Sequence, residues 1–282
     1  MIYVSSACVH AEKIGDVLYM YSNAGIENIE LSGGTVFYPE LEDDLQYYAQ
    51  KKKVNYVCHS YFPPPKKDFV VNLAACNDKI YRQSIDHYKN CIEMLKRLEC
   101  RVLSIHAGFF VEITPNEIGK ALSNDVIYDK GKALDRFCGA YQMIDNICKQ
   151  SGIRLYLENN VLNQDNYERF GMENLLMLTD YEDFKELQSQ LEFDLLLDLA
   201  HLHVSAKTLN KNYEKQCADF APYVKWIHMS ENNGIVDQHK PLTEGSEITK
   251  MYQKYFNEDI PVTLETNGNV QEILHSIQVL RR

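Results

Sequence analysis

Histidine and aspartate side chains recur at close spacing in one stretch of the chain, residues 226–242, which reads WIHMSENNGIVDQHKPL. A short apolar run ends at His228, and the polar loop beyond it carries Asp237 and His239 two residues apart. Imidazole nitrogens and carboxylate oxygens are ligands that zinc, manganese and related divalent ions accept. Because a single histidine at the end of a buried strand is more often a hydrogen-bonded core residue, the metal interpretation depends on the rest of the chain.

Six short apolar runs of the sequence end in a residue that can bind a metal or move a proton. These residues are His59, His106, Glu158, Asp198, His228 and Glu265. His201 lies three residues beyond Asp198, and together with Asp237 and His239 it raises the number of candidates to nine. One such carboxylate has a simpler explanation, since it can cap the next helix or hold a loop amide. Nine candidates favour a metal centre, because burying so many carboxylates without a cation is costly.

The elements that must position these residues alternate between β-type runs and helical segments, eight times in all. The β-type runs cover residues 2–5, 28–31, 54–59, 101–106, 153–158, 193–198, 224–228 and 261–265. Helical segments follow at residues 12–23, 41–53, 78–98, 128–150, 181–190, 206–220, 245–256 and 270–280, and a loop covers residues 107–125. Short apolar strands separated by helices are typical of parallel sheets. Eight such units in 282 residues predict an α/β protein, a (β/α)8 TIM barrel as a single domain over residues 1–282.

An open doubly wound sheet is the competing fold, but no GxGxxG motif follows the first β-type run. In a TIM barrel the active site lies at the carboxyl ends of the strands. We therefore expect the nine candidates to converge at one mouth of the barrel. Among the histidines, His203 is the weakest candidate for the site, and we expect it either to lie beside the site or to point elsewhere. Surface or packing positions are expected for His10, His87 and His275.

Composition argues against several other classes of protein. Apolar residues make up 45% of the chain and charged residues 24%, as in an ordinary globular protein. The net charge of −11 argues against a large nucleic-acid-binding face, although a local basic groove is compatible with an acidic protein. The eight cysteines form no CxxC pair, and the sequence contains neither a signal-peptide pattern nor an apolar run long enough for a membrane span. We expect a cytoplasmic protein with free thiols and no membrane partner.

The nine candidates, in type, order and spacing, resemble the xylose isomerase-like TIM-barrel superfamily over nearly the whole chain. This superfamily includes sugar and sugar-phosphate isomerases and epimerases, inosose dehydratases and the endonuclease IV family. The turn within residues 228–242 is similar to the isomerase and epimerase branch, as are the segments NLA at 72–74 and HAG at 106–108. This branch is the first hypothesis for the function of the chain.

The resemblance implies one divalent metal ion, Zn, Mn, Mg or Co, bound by Glu158, Asp198, His228 and Glu265. The metal would chelate the substrate and stabilise the enediolate that forms when the proton alpha to a carbonyl is removed, with Glu158 and Glu265 as base and acid. The substrate would be a small sugar or sugar phosphate, and a homo-oligomer is left open. Further metal or substrate ligands would come from His59, His106, His201, Asp237 and His239. Weaker candidates for substrate contact are Tyr61, Asn72 and Lys240.

Endonuclease IV is the alternative branch, in which nine ligands hold three zinc ions for phosphoester hydrolysis. The resemblance then implies one ion at His59, His106 and Glu158. A second would lie at Glu158, Asp198, His228 and Glu265, and a third at His201, Asp237 and His239. The local motifs depart from that family, since this chain reads HSYFPPP at residues 59–65 and HMSEN at 228–232. Its loops also lack a run of arginines for a duplex backbone.

A third hypothesis is a non-catalytic barrel in which a bound metal stabilises a binding module. The presence of both Glu158 and Glu265 argues against it, because a scaffold does not need two such carboxylates. The sequence therefore favours a sugar isomerase or epimerase with one metal ion, and with up to three ions if the endonuclease IV branch applies.

Overall fold

Eight parallel strands form a closed barrel, in which each strand pairs with the next along the chain and the last pairs with the first. The strands are β1 (Ile2–Ser5), β2 (Asn28–Leu31), β3 (Asn55–His59), β4 (Val102–His106), β5 (Arg154–Glu158), β6 (Asp194–Asp198), β7 (Val224–Met229) and β8 (Val262–Leu264). The computed structural model describes residues 1–117, 120–122, 126–256 and 258–281, so part of the predicted 107–125 loop lies outside the described residues. The closed barrel confirms the predicted TIM-barrel fold.

Helices surround the barrel and connect its strands. Those in the described residues are α1 (Ile14–Asn23), α2 (Leu41–Lys52), α3 (Asp78–Arg97), α4 (Lys130–Gln150), α5 (Gln164–Arg169), α6 (Tyr181–Gln188), α7 (Leu199–Thr208), α8 (Tyr213–Phe220), α9 (Glu247–Tyr255) and α10 (Val270–Leu280). Asn77 and Asp129 accept hydrogen bonds from first-turn amides, so local sequence sets where α3 and α4 begin. Among the described helices, none combines the length and the apolar character needed to cross a membrane.

The prediction of a single helix over residues 206–220 is wrong, because two helices, α7 and α8, occupy this region. α7 starts directly after β6, where the Asp198 side chain accepts a hydrogen bond of 2.7 Å from the amide of His201. All of its residues except Lys207 are buried, so the amphipathic pattern that marks a surface helix is absent. Asn210 has a φ of 51°, and Asn212 caps the first turn of α8. A polar break between two helices was thus interpreted as part of one helix.

The structure also differs from the prediction in one short helix and at the ends of β7 and β8. Residues 164–169, which lie between the predicted β-type run at 153–158 and the predicted helix at 181–190, form the short helix α5, which the Asn163 side chain caps. β7 continues to Met229, one residue beyond His228. β8 ends at Leu264, so Glu265 lies just after the strand and still at its carboxyl end.

An apolar layer fills the interior of the barrel, and we call it the plug. It consists of Tyr3, Val57, Tyr156, Leu196 and Trp226. Side chains of a strand alternate between its two faces, so the residue two positions further along lies on the same face and nearer the carboxyl end. His59, Glu158, Asp198 and His228 follow four plug residues at this spacing. The plug therefore closes the barrel beneath the candidate site.

Candidate metal centre

Four ligand-type side chains meet at the carboxyl ends of β5, β6 and β7 and just beyond β8. Glu158, Asp198, His228 and Glu265 each offer one atom within 4.8 Å of the others, and we call this set the cage. The first three are fully buried, and the side chain of Glu265 is 13% exposed. Strand register contributes to this convergence, because Asp198 on β6 lies directly beside His228 on β7. The structure thus brings together the four residues predicted to bind a metal ion.

Several polar atoms of the cage have no hydrogen-bond partner within the described part of the chain. They are both carboxylate oxygens of Glu158, Oδ2 of Asp198 and Nδ1 of His228, and all are buried. His228 Nδ1 lies 3.2 Å from Glu158 Oε1 and 3.5 Å from Glu265 Oε2. Buried polar atoms without partners are rare, because each costs about 1–3 kcal/mol. A divalent cation fits this donor set, since three carboxylates and one imidazole suit Mn²⁺, Mg²⁺, Co²⁺ or Zn²⁺.

The pKa values of the cage carboxyl groups show how its charge is held. Burial would raise the pKa of Glu158, but the surrounding imidazoles, first His106, outweigh burial and lower that pKa. Burial would also raise the pKa of Glu265, and His228 lowers it well below its usual range. Burial dominates at Asp198 and raises its pKa to about 6. The carboxylates therefore depend on nearby positive charge, which is the electrostatic condition that favours a bound cation.

Glu158 is shared between the cage and a neighbouring pair of histidines. Its Oε2 lies 3.2 Å from His59 Nε2 and 3.3 Å from His106 Nδ1, whereas its Oε1 faces His228. Ser104 Oγ lies 2.9 Å from His59 Nδ1 and orients that ring. Burial lowers the pKa of His59 to about 3, so its imidazole is neutral and suited to bind a metal. These residues could hold a second ion beside the cage, with Glu158 between the two.

The third predicted group, His201, Asp237 and His239, also lies at this mouth. Asp237 Oδ2 is 3.3 Å from His201 Nε2 and 2.8 Å from His239 Nε2, so the carboxylate lies between the two rings. The opposite nitrogens are occupied, since His201 Nδ1 lies 2.9 Å from the Asn159 carbonyl and His239 Nδ1 lies 3.0 Å from the Glu265 carbonyl. Both rings therefore direct Nε2 towards Asp237. The carboxylate pairs with two imidazoles here, an arrangement that substrate hydroxyls or a further ion could use.

A cavity of about 280 Å³ lies over the cage. The polar part of its lining includes His106, His201, Asp237, His239 and Glu265. Much of its apolar wall comes from Val70, Phe109, Ile113, Leu122 and Leu176. Glu265 lines the cavity, whereas Glu158 is fully buried. The volume suits a small molecule.

The three weaker substrate candidates lie in different surroundings. Tyr61 lines the cavity beside His106. Asn72 is buried, and its side-chain amide donates a hydrogen bond of 2.9 Å to the Phe109 carbonyl, which holds the two loops together. Lys240 is exposed, and its backbone pairs with that of Glu231. Of the three, Tyr61 is therefore the one placed to contact a ligand in this cavity.

Histidines outside the nine candidates have other partners. His203 Nδ1 lies 2.8 Å from Asn232 Oδ1 and its Nε2 lies 3.2 Å from Glu247 Oε2, so both ring nitrogens are occupied away from the cage. His87 is buried against Phe69 and Tyr88. Two exposed histidines are His10 and His275. The surface and packing positions expected for these last three are confirmed.

Glu30 on β2 is a site residue that sequence reasoning missed. Its side chain is buried, and its Oε2 lies 3.0 Å from His228 Nε2. The available signal was a single carboxylate inside the apolar run of β2, at the end where ligands collect in the other strands. It was overlooked because it precedes the last residue of its strand instead of ending it.

The chain belongs to the xylose isomerase-like TIM barrel family, whose model matches residues 20–282. An uncharacterized protein of Methanocaldococcus jannaschii, MJ1614, is 23% identical over 197 residues, 70% of this chain and 64% of that relative. The chain thus spans less than two thirds of the length of this curated relative.

Two solved structures represent the two branches of the sequence hypotheses. A D-tagatose 3-epimerase-like protein superposes with a TM-score of 0.72 at 17% identity, over 99% of this chain and 95% of that one. Endonuclease IV from Thermus thermophilus superposes with a TM-score of 0.60 at 13% identity, over 99% of this chain and 97% of that one. At these identities the superpositions establish the shared fold alone.

Proposed function

We propose that this protein is a metal-dependent isomerase or epimerase of a sugar or sugar phosphate, which moves a proton at the carbon alpha to a carbonyl. The observation that carries the proposal is the pairing of Glu158 and Glu265 at one centre, beneath a cavity of small-molecule size. This reaction needs groups that exchange a proton with carbon and a site that stabilises negative charge on oxygen. A divalent cation held by the cage would supply that stabilisation when bound.

The two glutamates differ in their access to the substrate. Glu265 lines the cavity, and its lowered pKa keeps it ionised at neutral pH, which supports a role for it as the base that accepts the proton from carbon. Glu158 lies on the buried side of the same centre and would exchange a proton at the neighbouring carbon or the opposite face. Imidazoles of the cavity lining, His106 among them, would bind substrate hydroxyls, and the apolar wall would limit access of water.

The test is exchange of the alpha proton in deuterium oxide. The protein, loaded with Mn²⁺, is incubated with a panel of ketoses and ketose phosphates, and deuterium incorporation is followed by NMR. We expect exchange on at least one substrate, with strong losses in Glu158→Gln and Glu265→Gln. Glu247→Gln is the matched control, because Glu247 contacts His203 and Lys207 away from the cage. Absence of exchange on every substrate, or full activity in both cage variants, would contradict the proposal.

A second candidate is a multinuclear zinc phosphodiesterase of the endonuclease IV type. The observation in its favour is the position of Glu158, which lies between the cage and the His59/His106 pair as a bridging ligand would. This hypothesis expects about three zinc ions per chain and cleavage of duplex DNA at abasic sites. Elemental analysis that gives one ion, or intact DNA after incubation with zinc, would exclude it. Stabilisation by metal without either reaction would instead favour the non-catalytic barrel.

A further inference from the structure

Glu30 is a buried carboxylate that takes no part in the proposed proton transfer. It lies on β2, and its side chain reaches His228 on β7, which is not a neighbouring strand of the barrel. Its Oε2 is 3.0 Å from His228 Nε2, the ring nitrogen opposite to the one that faces the cage. A buried carboxylate in this position acts on the cage through the imidazole, as carboxylates behind metal-bound histidines do.

Glu30 belongs to a chain of hydrogen bonds that starts in the plug. Trp226 Nε1 donates to Thr263 Oγ1 at 3.0 Å, and Thr263 Oγ1 donates to Glu30 Oε2 at 3.0 Å. An indole N–H can only donate and an ionised carboxylate can only accept, so Thr263 accepts from Trp226 and gives its single proton to Glu30. Glu30 Oε2 therefore accepts at this point of the chain. The two ends of the chain set the direction of its bonds, since the indole can only donate and the ionised carboxylate can only accept.

The same oxygen also contacts His228, at 3.0 Å from its Nε2. Because Glu30 Oε2 accepts, His228 donates through Nε2–H, which leaves Nδ1 to face the cage. His228 Nδ1 is the ring nitrogen that lies 3.2 Å from Glu158 Oε1 and has no hydrogen-bond partner among the described residues. The contact with Glu30 thus orients the ring and favours a proton on Nε2, so that Nδ1 is the nitrogen available to a metal ion.

We propose that Glu30 is a positioning residue, which with Thr263 and Trp226 holds His228 in the Nε2–H form so that Nδ1 binds the metal ion. The inference rests on the metal centre of the proposed function, and it does not depend on which substrate is converted. A competing role for Glu30 is direct ligation, because Glu30, His59 and His228 also offer atoms within 4.8 Å of one another. Its Oε2 is engaged by both Thr263 and His228, whereas its Oε1 is buried without a partner among the described residues, so the ion count in Glu30→Leu is needed to separate the two roles.

The test measures which nitrogen of His228 binds metal, and how tightly. Protein with ¹⁵N-labelled histidine is loaded with ¹¹³Cd²⁺, which couples to the ring nitrogen that binds it, and His228→Gln assigns the signal. We expect coupling to Nδ1 in the unmodified protein. In Glu30→Leu we expect this coupling to disappear or to be replaced by coupling to Nε2. The affinity for Cd²⁺ and Mn²⁺, measured by calorimetry, should be weaker by about 10–100-fold.

Graded variants separate positioning from a general loss of structure. Glu30→Gln retains an acceptor oxygen, so it should restore the Nδ1 coupling and most of the affinity that Glu30→Leu loses. Thr263→Val should weaken affinity less than Glu30→Leu. Tyr156→Phe is the control, because it removes a hydroxyl from the plug without touching the chain of hydrogen bonds. If Glu30→Leu does not fold, Glu30→Gln and Thr263→Val carry the test, with a weaker affinity in Thr263→Val as the expected result.

Three outcomes would overturn the inference. The first is a Glu30→Leu variant that keeps the coupling to Nδ1 and binds metal within twofold of the affinity of the unmodified protein. If Glu30→Leu does not fold, an unchanged metal affinity in Thr263→Val has the same meaning. The second is loss of one bound ion in Glu30→Leu with His228 unchanged, which would make Glu30 a ligand. The third is absence of metal binding in the unmodified protein, which would overturn the proposed metal centre as well. A protein that binds metal through Nδ1 but exchanges no alpha proton would refute the isomerase proposal and leave the role of Glu30 intact.

Discussion

The plug and the cage are two layers of the same barrel interior, and three strands, β5, β6 and β7, supply one residue to each. On β5, for example, Tyr156 belongs to the plug and Glu158, two residues later, belongs to the cage. Plug side chains pack ring against ring, with centroids 5.3 Å apart for Tyr3 and Trp226, and the Trp226 N–H has a partner. The cage is equally buried, yet several of its polar atoms have no partner among the described residues.

This difference shows that burial by itself does not distinguish a stabilising layer from a functional one. Apolar burial in the plug contributes favourable free energy, whereas buried carboxylates oppose folding unless charge compensates them. A barrel can retain such a costly layer because the plug and the helix-facing core stabilise the strands that carry it. Substitutions in the cage should therefore abolish function, whereas substitutions in the plug should lower stability and leave function intact in the folded protein.

The largest effect is expected for Glu158→Gln in the cage. Removal of the shared carboxylate charge should weaken metal binding and slow alpha-proton exchange by about 10³-fold. The free energy of unfolding without metal should fall, because the imidazoles that lower the pKa of Glu158 lose the carboxylate they pair with. Exchange rates with Mn²⁺ and urea unfolding with a chelator measure the two quantities. A variant that is destabilised but remains active would break the distinction between the layers.

Leu196→Ala in the plug should lower stability and leave the function of the folded protein nearly unchanged. Leu196 lies two residues before Asp198 and is 1% exposed, so truncation leaves a cavity and should lower the free energy of unfolding by about 3 kcal/mol. Metal affinity of the folded protein should change little. Leu196→Met is the control, with an expected loss below about 1.5 kcal/mol. Urea unfolding and calorimetry check both statements, and a stability loss confined to the metal-bound protein would argue against them.

Addition of metal should compensate the negative charge of the cage and so stabilise the folded protein, without changing the packing of the plug. At a free Mn²⁺ concentration of about 100 times the dissociation constant, the folded state should gain about 2.7 kcal/mol. The melting temperature should rise accordingly in the unmodified protein and in Leu196→Met, and a chelator should reverse the rise. In Glu158→Gln the rise should be much smaller at the same concentration. An equal rise in all three proteins would mean that the ion binds elsewhere.

The smallest effect concerns His87, a buried imidazole remote from the cage. Burial lowers its pKa from 6.5 to about 4, so the unfolded chain takes up a proton at a higher pH than the folded protein. Its contribution to stability is complete above pH 6.5 and is lost as pH falls towards 4, by about 2 kcal/mol at pH 5. His87→Phe should reduce the loss of stability between pH 7 and pH 5 by that amount, as measured by urea unfolding. An identical pH profile in the variant would assign the acid sensitivity to other groups, such as those of the cage.

Much of the fold followed from local pattern. The strand positions were predicted to within one residue at either end, because short apolar runs of β type are visible in isolation. α7 and α8 were not separated, since α7 is buried on nearly every side and has no polar face. Its start depends on the Asp198 cap, a residue that also reads as a metal ligand. The Asp198 carboxylate both caps α7 and is a candidate metal ligand, and only the second role was predicted from the sequence.

Six of the nine predicted site residues were recognisable because they end short apolar runs, whose ends converge in a parallel barrel, and the other three because they closely follow two of these runs. The contacts that these residues make with one another were not predicted. That Glu158 lies between His228 and the His59/His106 pair, and that Asp237 lies between two histidines, depends on distances between loops and strands that no local pattern contains.

By itself the sequence determined the eight βα units and the spacing of two that places a ligand-type residue above a plug residue. Both are local properties, set by the alternation of side chains along a strand. Only the tertiary structure decided that Glu30 reaches across the barrel to His228 and that Thr263 and Trp226 set the direction of this contact. The physical reason is closure, because which side chains meet inside a barrel depends on the tilt and stagger of all its strands together.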